Sequence, residues 1–135
     1  MRAFLAGSGS LAAILSGEVA ARHGGPWSPP GLAAVYASLD PGAAALELLI
    51  HLNAPPPALA GYRLWAIELP DAPVATHAGT RRPREVGRNF LLAARHLALR
   101  VPSRAVPWAQ NLLINPRHPA FVGVRVVGES RLGPG

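Results

Sequence analysis

Apolar and polar residues alternate most clearly in YRLWAIELP, residues 62–70, where Arg63, Trp65, Ile67 and Leu69 fall on one side of an extended chain. A period of two is what a strand with one buried face produces. LAAVYAS (32–38) and LALRVPS (97–103) are shorter runs of the same kind; Tyr36 falls near the end of the first and Ser103 closes the second. AFVGVRVVGE (120–129) predicts a last strand, followed by a loose tail over 129–135. The period changes in PGAAALELLIHL, residues 41–52. Leu46, Leu49 and Ile50 recur at helical spacing and mark the expected apolar face, with Glu47 beside it and His51 one turn further on Glu47's side. Asp40 is the expected N-cap and Pro41 the first helical residue. A second helix opens at Pro83, with Val86, Phe90, Ala93, Ala94 and Leu97 at helical spacing and Arg84, Arg88 and Arg95 elsewhere on it.

Between these elements the chain is punctuated by proline and glycine. GGPWSPPG (24–31), NAPPPALAG (53–61) and VPWAQNLLINPRHP (106–119) read as loops, and residues 70–82 show no period. No internal repeat is visible. Short strands and helices mix without regular alternation, so the pattern predicts one α+β domain over residues 1–135, a mixed sheet flanked by helices rather than a doubly wound one.

Composition narrows the chemistry. At 135 residues, half of them apolar, the chain is long enough for a real core. It has no cysteine, which excludes disulfides, zinc–cysteine sites and thiol catalysis and fits a reducing cytoplasm. The net charge is +6, and all 13 basic residues are arginine. Ala, Gly, Pro and Arg all have GC-rich codons, so base composition is a sufficient cause for much of that charge. No apolar run is long enough to span a membrane. The first 21 residues faintly resemble a signal peptide, but Gly-Ser-Gly-Ser at 7–10 interrupts the apolar stretch.

Few residues stand out as chemical. Glu47, a carboxylate on a mostly apolar helix, is suited to stabilising a developing cation or acting as a base; an ordinary solvent-facing helix residue is the plainer reading. Ser103 sits at a strand end, where a hydroxyl binds a ligand or, more commonly, caps a turn. Tyr36 and Trp27 are flat side chains that can pack a ligand or a core. The five histidines, His23, His51, His77, His96 and His118, show no metal-binding spacing, so no metal is expected. GSGS is not a dinucleotide fingerprint and GESRL is not a nucleophile elbow. Arg81, Arg82, Arg84 and Arg88 form a basic cluster, but no interleaved aromatics point to nucleic acid.

Three segments together carry a resemblance. LSGEVAARHGGPWSPPGLAAVYASLDPGAAALELLIHL, REVGRNFLLAARHLALRVPS and AVPWAQNLLINPRHPAF resemble, in order, the RES domain family, over roughly residues 1–127. That resemblance implies a fold like that of ADP-ribosyltransferases and the role of a bacterial toxin paired with an Xre-type antitoxin in a hetero-oligomer. It implies an attack on NAD, with phosphate, water or a protein as the acceptor. It carries the glutamate over to Glu47, the serine to Ser103 and the strand tyrosine to Tyr36, with Trp27 beside the cofactor. Two expected pocket arginines are absent: Leu5 and Pro26 stand at those positions. Two lost charge-assisted contacts weaken binding roughly 10²- to 10⁴-fold if they add, with Arg2 or Arg22 as possible substitutes. The resemblance thus implies reduced activity, or a module that binds its antitoxin without turnover; a nucleic-acid module is the distant alternative.

Overall fold

In the computed structural model, which describes residues 1–53 and 55–133, seven strands form one mixed sheet in an α+β fold. In chain order the elements are β1 (Arg2–Gly7), α1 (Leu11–Leu15), α2 (Glu18–His23), β2 (Val35–Ser38), α3 (Pro41–Leu52), β3 (Arg63–Glu68), β4 (Val74–Thr76), α4 (Pro83–Ala93), β5 (Ala98–Pro102), β6 (Gln110–Ile114) and β7 (Arg125–Arg131). Short 3-10 turns lie at Pro56–Leu59 and Pro119–Gly123. The sheet runs β4-β5-β6-β2-β1-β3-β7, and β4–β5 is its parallel pair.

Strand alternation sorts the core into two clusters, one on each face. Leu5 of β1, Val35 and Ala37 of β2, Trp65 and Ile67 of β3, Ala98 of β5, and Leu112 and Ile114 of β6 share one face, covered by Leu11, Ile14 and Leu15 of α1 and by Phe121. The next residues along, Tyr36, Leu99, Val101 and Leu113, share the other face with Ala20, Trp27, Val86, Phe90 and Leu91. Pairing agrees: Leu99 faces Leu113 and Leu113 faces Tyr36 across β5, β6 and β2.

Two expectations change, and the N-terminus finds its place. The N-terminal segment, signal-like in composition, forms β1, which pairs residue by residue with β3. The proline-punctuated segment 106–119 is not all loop: its run Gln110–Ile114 is β6, seated between β5 and β2. Its prolines flank the strand without entering it, so no ladder bond is lost. Residues 120–123 belong to a 3-10 turn, and β7 extends through Arg131, whose partner is Arg63. Residues 129–131 are therefore strand, not tail; residues 134–135 of the expected tail, and residue 54 of the loop at 53–61, lie outside the described residues. Within NLLINPRHP, Asn115 is fully buried: its amide donates to the Leu91 carbonyl, and its own carbonyl oxygen accepts from the Arg117 N–H. That segment therefore locks the end of α4 against the sheet.

Helix α3 starts as expected, with Asp40 Oδ2 accepting from the Ala43 N–H at 3.1 Å. Its inward face is different. Ala43 and Ala44 are buried, whereas Leu46 and Ile50 are 45% and 60% exposed. Small residues let the helix approach β1 closely, and the turn that follows presents Glu47 and Leu48 inward in place of a second row of leucines. Helix α4 runs Pro83–Ala93, Ala94 ends it in the left-handed region at φ 51°, and Leu97, expected on the helix, precedes β5.

Helix α4 meets the Trp27 backbone so closely that only glycine fits at position 87. A Cβ there would lie 1.6 Å from the Trp27 carbonyl oxygen. Gly87→Ala is therefore expected to cost about 3 kcal/mol, measured by urea denaturation. Gly42→Ala, where a Cβ meets nothing nearer than 3.4 Å, should stay within about 1 kcal/mol of the parent or exceed it.

Candidate active site

Strands β1 and β2 meet at a single register pair, Phe4 with Ser38. Beside that pair lies a cleft of about 460 Å³, lined by Phe4 and Ala6 of β1, Tyr36 and Ser38 of β2, Glu47 and Leu48 of α3, and the loop residues Gly25, Pro26 and Trp27.

Glu47 is held from the sheet. Its Oε1 accepts the Ser103 hydroxyl at 2.8 Å and the Asn111 side-chain amide at 2.9 Å. Asn111 Oδ1 in turn accepts the Ser38 hydroxyl at 2.7 Å. Ser103 Oγ also accepts from the N–H groups of Ala105 and Val106, both at 3.1 Å, so it caps the turn after β5 while donating to Glu47. The turn-cap reading of Ser103 is met, and the same hydroxyl reaches Glu47. With two donors on Oε1, the carboxylate is fixed in orientation and Oε2 carries no bond to them.

Tyr36 organises the other wall. Its hydroxyl accepts the Trp27 N–H at 3.0 Å and bonds the Ser28 hydroxyl at 2.6 Å. GGPWSPPG folds as a tight turn around that oxygen, closed by the Gly25 N–H donating to the Ser28 carbonyl at 2.8 Å. Gly25 is obligatory: a Cβ there would lie 2.5 Å from the Tyr36 oxygen. Burial raises the Tyr36 pKa above its ordinary 10.0, opposed by the bonds from Ser28 and Trp27 and by the charge of Arg84. The phenol is therefore neutral at physiological pH. Trp27 lines the cleft with part of its surface, but it is only 6% exposed and packs mainly in the core, edge-on to His77 at 5.8 Å.

Leu5 is not in this cleft. It is 3% exposed on the opposite face, between cleft-lining neighbours Phe4 and Ala6, because successive residues of a strand point to opposite sides. Pro26 does line it. Arg2 and Arg22 do not replace the missing charges: Arg2 pairs with Glu68 and Arg22 with Glu18, and neither lines the cleft. Among the described residues no group of three or more His, Cys, Asp or Glu side chains is placed to hold a metal.

The RES domain model matches residues 1–133. This chain belongs to the RES domain family. Among RES relatives it is 38% identical over 127 residues to Toxin Res of Pseudomonas putida, covering 87% of this chain and 88% of that protein. It is 37% identical over 126 residues to the Prs ADP-ribosylating toxin of a Sphingobium species, covering 82% and 78%. The fold matches a chain of the Mycobacterium tuberculosis MbcT–MbcA toxin–antitoxin complex with a TM-score of 0.75 at 21% identity, over 97% of this chain and 83% of that one.

Within this RES fold Glu47 and Tyr36 line one cleft, Ser103 is bonded to Glu47 behind it, and Leu5 lies outside it. Asn111 was missed. Its signal was present in the polar residue opening the apolar run NLLI, and became readable only once that run is a strand paired with Ser38.

Two results follow. Leu5→Arg buries a guanidinium in the apolar core and is expected to cost about 3 kcal/mol or more, measured by urea denaturation. The raised Tyr36 value means that the folded chain holds that proton more tightly than the unfolded one. The stability it contributes is fully present below the unfolded value near 10.0 and is lost as pH rises through the folded value. Between about pH 8 and about pH 11 the parent should therefore lose more stability than Tyr36→Phe.

Proposed function

We propose that this chain is the toxin member of a toxin–antitoxin pair and that it depletes NAD by cleaving the nicotinamide–ribose bond. The observation that carries this reading is the Glu47 carboxylate, fixed by Ser103 and Asn111 beside a cleft floored by Tyr36. When the bond breaks, its electron pair leaves on the nicotinamide nitrogen and positive charge builds on C1′ of the ribose. An oriented carboxylate lowers the energy of that cation, and because it is already held in place it needs no reorganisation. The acceptor, water, phosphate or a protein side chain, then adds to C1′ from the open side and loses its proton to solvent. Tyr36 packs a flat part of the dinucleotide. Support from outside the geometry comes from the relatives' names, Toxin Res and ADP-ribosylating toxin.

The partner in this reading is an Xre-type helix-turn-helix antitoxin, bound in a hetero-oligomer; the similar fold from a toxin–antitoxin complex supports a protein partner. The setting is the cytoplasm. No helix of the described residues is long and apolar enough to cross a membrane.

Pro26 favours a second reading. It leaves uncharged a cleft position where the family resemblance expects arginine, and a chain that binds its antitoxin without turnover would tolerate that loss. Nicotinamide release from NAD, followed by chromatography with and without phosphate, separates the two. The parent should release nicotinamide, Glu47→Gln should be slower by about 100-fold or more, and Pro26→Arg should be faster by about tenfold. Asn111→Ala, which frees the carboxylate to turn, should lower kcat about tenfold with KM little changed. No release by the parent or by Pro26→Arg would leave the binding module as the account.

A further inference from the structure

The cleft that holds Glu47 adjoins a second one of about 690 Å³, lined by Arg81, Arg82, Arg84, Glu85 and Arg104. Gly24, Gly25, Pro26, His51 and Arg104 line both, so the glycine turn and Arg104 form the shared wall. Four guanidinium groups in one depression repel one another. The one carboxylate present, Glu85, lies 3.5 Å from Arg82. Among the described residues, no carboxylate is within ion-pair distance of Arg81, Arg84 or Arg104. A cationic cleft with this little internal compensation favours an anion.

Arg84 is also pre-oriented. Its Nε donates to the Gly25 carbonyl at 3.0 Å. Its Nη2 lies so near Gly24 that a Cβ there would sit 3.2 Å from it. The guanidinium plane is thus laid against the glycine turn, with its Nη donors left over, and a planar fork of this kind suits a phosphoryl group. Its charge is felt by the Tyr36 hydroxyl, which ties it to the floor of the first cleft.

Two clefts divided by a cationic wall match a ligand of two lobes joined by an anionic linker. We infer that Arg84 and Arg104 form a diphosphate subsite at that wall, supplying from α4 and from the turn after β5 the charge that Pro26 does not. The nicotinamide half of a dinucleotide then lies beside Glu47 and the other half extends along Arg81 and Arg82. This rests on the reading of the first cleft as a dinucleotide site. It adds a location for the phosphates that the sequence cluster alone did not give.

The test is equilibrium binding to the full chain by calorimetry, with ADP-ribose as the diphosphate probe and inorganic phosphate as a second titrant. Arg84→Ala and Arg104→Ala should each weaken ADP-ribose about tenfold. Arg88→Ala, on α4 but outside the cleft, should leave it unchanged. Arg84→Lys keeps the charge without the fork and should fall between parent and alanine variant. Unchanged ADP-ribose binding in both folded alanine variants overturns the subsite. So does loss of phosphate binding alone, which would make the cleft a site for free phosphate. Because no bond is broken in this measurement, arginine-dependent binding without nicotinamide release sinks the catalytic reading and leaves the subsite standing, and the converse result does the reverse.

Discussion

Two donors converge on one oxygen of Glu47, the hydroxyl of Ser103 and the amide of Asn111, and neither belongs to the helix that carries the glutamate. This contact fixes where α3 sits on the sheet as well as how the carboxylate points. It requires β6 to lie between β5 and β2, so that Asn111 faces both Ser38 and Val101. It also requires the turn after β5 to be tight, which the second role of the Ser103 hydroxyl secures through Ala105 and Val106. The alanines of α3 answer the same demand, since a helix with bulky side chains toward β1 would stand too far off for Glu47 to reach.

The opposite wall has an equivalent pivot in the Tyr36 oxygen. A proline-rich loop has few backbone N–H groups to anchor it. Here the Trp27 N–H and the buried Ser28 hydroxyl serve as its anchors, and Trp27 then pins the loop to α4 through the glycine at 87. One wall of the cleft is held by a carboxylate, the other by a phenol. The guanidinium of Arg84 crosses back to the glycine turn from α4.

Much of this was legible where one residue's chemistry decides the outcome. Asp40 and Pro41 announced the start of α3, and Arg63 to Leu69 announced β3, because caps and strand alternation act locally. Glu47, Ser103 and Tyr36 were singled out by the family resemblance; Glu47 and Tyr36 line one cleft, and Ser103 meets it through its bond to Glu47. The unreadable parts depend on partners distant in sequence. β6 looks like loop because its prolines lie just outside it. The α3 face was misjudged because Leu46 and Ile50 have the right spacing for burial and nothing local says that Ala43 and Ala44 face the sheet instead. Leu5 was taken for a pocket position, yet strand parity puts it in the core. Arg81, Arg82 and Arg84 were visible as a cluster, but Arg104 joins them in the second cleft only once β5 and α4 are placed.

The account's central claim is that the reacting carbon of a dinucleotide lies against Glu47 with its diphosphate on the glycine wall. A crystal structure of Glu47→Gln with NAD tests it most directly. The account predicts the nicotinamide ribose beside residue 47 and the diphosphate against Arg84 and Arg104. A dinucleotide bound with its ribose turned away from that side chain, or seated outside both clefts, would contradict it.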